Sequence, residues 1–150
     1  MRELADEIAT AAAEQSALWS AVLRPSAQRE LDASFSPLAD ARYALGLETI
    51  YEGYLCHYGR PRIFAPHDDE TALLLGDYLY AHGLVRIADT GNVDAVAELA
   101  GLISLCAHLR AEREDGDGEA WASTAAALST QPVDDEAVEL ALSAHCERVG

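Results

Sequence analysis

Apolar residues recur along this chain three and four positions apart, the spacing of helix faces. Residues 2 to about 22, rich in Ala, Glu and Leu, read as a first helix that Pro25 ends. Residues 26–35 leave room for a short helical turn. Ser36-Pro37 then reads as a helix start, with Ser as cap and Pro where a missing N–H is harmless. That helix is expected to run to Tyr58, with Leu47, Tyr51, Tyr54 and Tyr58 as its apolar stripe. Gly46 and Gly53 sit seven apart on one side of it. Each disfavours the helix by about 1 kcal/mol against Ala, which a close helix–helix approach would explain. Gly59 is a helix stop, and the loop that follows holds Pro61 and Pro66.

Asp68, Asp69 and Glu70 open the next helix, where negative charge suits the dipole. It extends to about Ala88 and is apolar nearly all round, the pattern of a helix central in a bundle or covered by a partner. Thr90-Gly91-Asn92 turns the chain into a helix that runs to about Arg113, with Val96, Leu99, Ile103 and Cys106 inward. Residues 112–119, EREDGDGE, read as a solvated acidic linker. Two helices, about 119–129 and 134–148, follow on either side of Pro132. The pattern holds no internal repeat and no sustained heptads. The expectation is one all-α domain, a helical bundle spanning residues 1–150.

Composition strengthens this reading. Ala fills 29 of the 150 positions, whereas Val and Ile, the strand formers, are sparse. The chain carries 26 acids against 10 bases, every base an Arg, for a net charge of −16. Nucleic acid and anionic membrane surfaces are bound through cationic patches, so neither is an expected partner. Cys56, Cys106 and Cys146 stand far apart without a CxxC, which suits reduced thiols in a cytoplasm. The N-terminal residues lack a signal peptide's apolar run, and Asp77, His82 and Arg86 interrupt the most apolar stretch, residues 71–89, so no membrane span is expected.

Three groups of residues suggest chemistry. DGDG at 115–118 resembles part of a calcium loop, but that register puts Arg113 and Thr124 at ligand positions, so an acidic linker is the better account. His57, His67 and Asp68 offer imidazole and carboxylate of the kind found in metal-dependent phosphohydrolases. Asp68 also serves as a helix cap, and no downstream Asp completes that set. Glu48 and Glu52, four apart on one helical face, are candidates for sharing a divalent metal; the plainer account is a solvated acidic face.

The run ETALLLGDYLYAHGLVRIA, residues 70–88, resembles a helix of the trans-isoprenyl (polyprenyl) diphosphate synthases, which reads as a Leu-rich run, then GDYL, then an Ala-rich end. In that family a Gly-basic-Pro turn precedes the helix, and Gly59-Arg60-Pro61 stands seventeen residues before Gly76. The similarity covers roughly residues 45–112. It implies an all-helical fold and chemistry in which magnesium ions bridge a departing diphosphate to two Asp-rich motifs while arginines hold phosphate oxygens. By the same resemblance Arg60 is a candidate substrate contact, and Leu74, Tyr78 and Leu79 are candidates for a subunit interface or the wall of a prenyl-chain tunnel. The plainer account of those three is core packing.

The chain departs from that family where the chemistry is done. Its first Asp-rich motif falls on Glu48-Thr49-Ile50-Tyr51-Glu52, the paired arginines that follow fall on His57 and Tyr58, and the half bearing the second motif is missing. The resemblance therefore implies a non-catalytic small subunit of a heteromeric polyprenyl diphosphate synthase, with a large synthase subunit as partner. A homodimeric helical binding protein that kept the scaffold is the alternative. No cofactor is expected for either of these readings; a third reading is a divalent-metal enzyme acting on diphosphates through Glu48, Glu52 and His57, which would take Mg²⁺ at a residual diphosphate site.

Overall fold

The computed structural model describes residues 1–149. The fold is all-α: α1 (Arg2–Gln15), α2 (Ala17–Ser20), α3 (Ala44–Tyr58), α4 (Asp69–Ala88), α5 (Val93–Glu112), α6 (Asp117–Ala127) and α7 (Asp135–Val149). Single 3-10 turns at Ser26–Gln28, Ser36–Leu38 and Ala41–Tyr43 punctuate the long segment before α3. Among the described residues no helix is long and apolar enough to cross a membrane.

The boundaries differ from the sequence expectation at two helix starts. The first helix breaks at Ser16, which is extended and whose Oγ accepts from Leu18 N at 3.1 Å, starting α2. The Ser36-Pro37 start yields only a 3-10 turn. Ser36 Oγ does not cap it; the hydroxyl donates to the buried carboxylate of Glu48 at 2.5 Å. Elsewhere local chemistry acts as read. Asp68 caps α4 by accepting from Thr71 N at 2.7 Å, Gly91 turns the chain at φ +85°, and Asn92 caps α5 by accepting from Ala95 N at 3.1 Å.

The central helix is α3, not α4. Every residue of α3 from Gly46 to Cys56 is buried, including Glu48, Thr49 and Glu52. By contrast α4 buries Leu75, Gly76, Leu79, Gly83 and Ile87 on one side and leaves Leu73, Leu74 and Val85 more than half exposed. Two cores flank α3. One joins Tyr51, Tyr54 and Leu47 to Phe35, Leu99, Leu102 and Trp121. The other joins Cys56 to Ile8, Trp19, Phe64, Leu75 and Leu79.

Glycines set the spacing of α3 and α4, the most extensive helix pair. The helices run antiparallel, and Gly46 faces Gly83 while Gly53 faces Gly76. A Cβ at Gly53 would stand 2.9 Å from Gly76 O, and one at Gly83 would stand 3.2 Å from Gly46 O. The close approach suggested by the Gly46–Gly53 spacing is therefore real, and the Gly of the GDYL motif is one of its contacts.

Candidate functional site

Glu48 and Glu52 lie one turn apart on α3, 1 % and 0 % exposed. After α3 ends, Gly59 and Pro61 return the chain, and Arg62, itself 0 % exposed, enters between the two carboxylates. Arg62 Nη1 donates to Glu48 Oε2 at 2.6 Å and Nε to Glu52 Oε2 at 3.1 Å. The backbone N–H groups of Arg62 and Ile63 donate to Glu52 Oε1 at 2.9 and 2.7 Å. Ser36 takes the last oxygen, Glu48 Oε1. The guanidinium also donates to Asp32 O at 3.0 Å and lies over the Tyr51 ring. Burial alone would lower the Arg62 pKa, but attraction to Glu48 and Glu52 outweighs it and raises the value.

This corrects the expected metal pair. All four carboxylate oxygens accept hydrogen bonds, and a guanidinium occupies the place between them where a divalent cation would sit. Nor is this face solvated. Arg62 escaped the sequence reading because a loop arginine carries no mark of burial. The available signal was the helix itself: two acids on an otherwise apolar helix need a cation if buried, and Arg42, Arg60 and Arg62 are the nearest in the chain.

Arg60 points elsewhere. Its side chain is half exposed and pairs with Glu30, which also receives Arg148. The Arg60 amide donates to Arg148 O at 3.1 Å, so this cluster ties the loop to α7. Burial pushes the Glu30 carboxyl up, but Arg148 and then Arg60 hold it below its ordinary value of 4.5. The candidate phosphate contact is thus already engaged by a carboxylate.

His57, His67 and Asp68 are brought to one shallow groove of about 320 Å³, which Cys56, Pro66 and Asp69 also line. They do not converge on a common point. His57 stacks on Tyr80 with ring centroids 5.0 Å apart, and its Nε2 lies 3.2 Å from Asp77 Oδ1. Asp68 is occupied as the α4 cap, and His67 is exposed.

A second polar network lies where the sequence suggested a linker. Asp117 opens α6, and its Oδ2 accepts from Tyr54 and from Arg110 Nε and Nη2, the latter two at 2.9 and 2.6 Å. Its Oδ1 accepts from Gly118 N at 3.0 Å and lies 3.8 Å from His145 Nε2. His145 Nδ1 shares a 2.8 Å hydrogen bond with the Tyr51 hydroxyl. Burial raises Asp117's pKa, but donation from Tyr54 and Arg110 brings it below 3.8. Burial pushes Tyr51 up to about 12, so it stays a neutral phenol. Acidic composition concealed Asp117; Tyr54 and Arg110, which lie on helices read correctly as helices, supply its partners.

The three interface or tunnel candidates separate. Leu79 is 1 % exposed and belongs to the second core, so it is neither a surface contact nor a tunnel wall. Tyr78 is half-buried, stacked on Trp19 at 5.7 Å and hydrogen-bonded to His82 Nδ1 at 3.2 Å. Leu74 is 58 % exposed, beside Leu73 at 54 %. The outer face of α4 therefore begins at Leu74, and the core side includes Leu79.

No protein-family model matches the chain, and neither a curated protein nor a solved structure matches it significantly.

Proposed function

We propose that this chain is a non-catalytic helical subunit that acts by binding another protein, in the manner of the small subunit of a heteromeric polyprenyl diphosphate synthase. The observation that carries the reading is Arg62. In the synthase chemistry, carboxylates at these positions hold magnesium against a diphosphate; here they hold a buried guanidinium. Opening that site would strip an ion triad of its cation. What α4 leaves free is an apolar outer face with Leu73, Leu74 and Val85, a surface suited to a protein contact. The GDYL helix and the Gly-Arg-Pro turn, which resemble those of the synthases, are what supports a partner from that family.

The test is prenyl transfer from farnesyl and isopentenyl diphosphates with magnesium. The chain is assayed alone, and then with the large synthase encoded nearest to it. The expected result is no product from the chain alone and altered product length in the mixture. Turnover by the chain alone, or no effect on the synthase, overturns the proposal. The same α4 face also supports the second reading, a homodimer; light scattering at several concentrations decides between a monomer awaiting its partner and a self-associated pair.

A further inference from the structure

The helix α7 is docked differently from its neighbours. Leu99 and Leu102 are the buried anchors of α5, and Trp121 that of α6, whereas the buried residues of α7 are Ala141, His145 and Arg148. Partly buried Val138 and Leu142 line the seam, but Leu140 is 66 % exposed. Two polar pins hold the helix. Arg148 pairs with Glu30, and His145 inserts its ring among Phe35, Tyr51 and Tyr54 with centroids 5.4, 5.9 and 5.6 Å away. Among the described residues, the second core draws nothing from α7.

The surroundings of His145 suit a neutral ring and not a charged one. From α3, Tyr51 shares its Nδ1 hydrogen bond and Tyr54 stands beside the ring. From α6, Asp117 and Glu119 offer negative charge, but Asp117 already takes donors from Tyr54, Arg110 and Gly118. From α5, Arg110 repels a cation there. His145 Nε2 is buried with no hydrogen-bond partner. A second proton makes both ring nitrogens donors: Nδ1 loses its capacity to accept, and the added buried charge faces Asp117 Oδ1 at 3.8 Å from Nε2, beyond hydrogen-bond distance. Burial first, and Arg110 in addition, accordingly hold the His145 pKa below 6.5 against the pull of Asp117.

We propose that α7 is a proton-released clasp: charging His145 on mild acidification undocks α7 and uncovers the Phe35–Tyr51–Trp121 aromatic cluster, while α1 to α6 stay folded. This goes beyond the proposed partner role and does not depend on it. The sign follows from linkage. A histidine with a depressed folded-state pKa contributes stability that is present above its ordinary value and is lost as pH falls. With an ordinary value of about 6.5, the opening constant of α7 rises between about pH 7.5 and 5.5, by no more than about tenfold.

The experiment is hydrogen exchange of the full chain at those two pH values, with rates corrected for intrinsic exchange. The expected result is a loss of protection in α7 amides, of no more than about tenfold, and none from Leu47 to Leu55 of α3. His145→Asn, which cannot charge, abolishes the pH response, whereas His82→Gln keeps it. Should His145→Asn fail to dock α7 at any pH, NMR titration of the wild-type ring decides: the docked ring must stay neutral at pH values at which α7 already loses protection. Equal loss in α3 and α7, a response that survives in His145→Asn, or a ring that charges with α7 still protected overturns the proposal.

Discussion

Replacing Arg62 by Met gives the sharpest test of the polar centre. The substitution keeps an unbranched side chain of similar reach and removes the only cation between Glu48 and Glu52, both 1 % exposed or less. Breaking a buried ion pair by deleting one partner costs about 3–5 kcal/mol, because the remaining charge is left uncompensated. Domains are stable by about 5–15 kcal/mol, so the variant loses a large share of its margin. At about 2–4 °C per kcal/mol for a chain of this size, the melting temperature at pH 7.5 falls by about 6–20 °C. Thermal melts followed by circular dichroism, with the wild type alongside, read this directly. The pH dependence adds a signature. Without Arg62 the buried carboxylates take on raised folded-state pKa values, and stability held by such groups is present at low pH and lost as pH rises. The gap between variant and wild type therefore narrows from pH 7.5 to pH 5. Adding Glu48→Gln and Glu52→Gln removes the stranded charges and recovers most of the loss. A variant that melts within about 2 °C of wild type, or a gap independent of pH, refutes the account of a buried triad.

The glycine contacts separate helix propensity from packing. Gly101→Ala, with nothing within 4 Å of its Cβ, raises stability by about 1 kcal/mol in denaturant titration. Gly53→Ala, whose Cβ would meet backbone at 2.9 Å, lowers it by about 1–3 kcal/mol; equal effects would show that α3–α4 closeness does not matter. Asp117 and Glu30 have depressed folded-state pKa values, so the stability they contribute is present at neutral pH and lost as pH falls from about their ordinary 3.8 and 4.5. Arg110→Gln should flatten the Asp117 part of that acid loss, as measured by melts from pH 6 down to pH 3. Replacing exposed Leu74 and Val85 together by Glu leaves the melting temperature within a few degrees of wild type but removes any effect on a synthase's product length. Retained activity would move the interface off α4.

Helical class, the number of long helices and most of their ends were legible in the residues, because these depend on near neighbours. Ala-rich runs favour helix wherever they lie, Asp68 and Asn92 cap the helices they precede, and Gly91 turns the chain through its own backbone freedom. The Gly46–Gly53 spacing announced a close approach, since a glycine that weakens a helix needs a reason outside it. What the pattern could not rank was which helix lies at the centre. The leucine-rich run of α4 reads as apolar nearly all round, yet α3 is the helix buried on all sides, while carrying two glutamates. Charge lowers the apparent hydropathy of a segment, and only a partner from elsewhere in the chain makes its burial tolerable.

The same division separates the candidate residues. The sequence by itself determined that Glu48 and Glu52 share a face, that His57 and His67 flank a proline-bearing loop, and that Leu74, Tyr78 and Leu79 sit on one helix. Tertiary structure alone decided that Arg62 fills the space between the glutamates, that Arg60 and Arg148 meet at Glu30, and that the acids of a supposed linker include a partly buried partner for Tyr54, Arg110 and His145. It also decided that Leu79 lies inside while Leu74 lies outside. The physical reason is range. Helix propensity, capping and face periodicity act within a few residues and are written into the local order of side chains. Ion pairing and burial join groups 7 to 118 positions apart here, and depend on a path through space that local order does not encode.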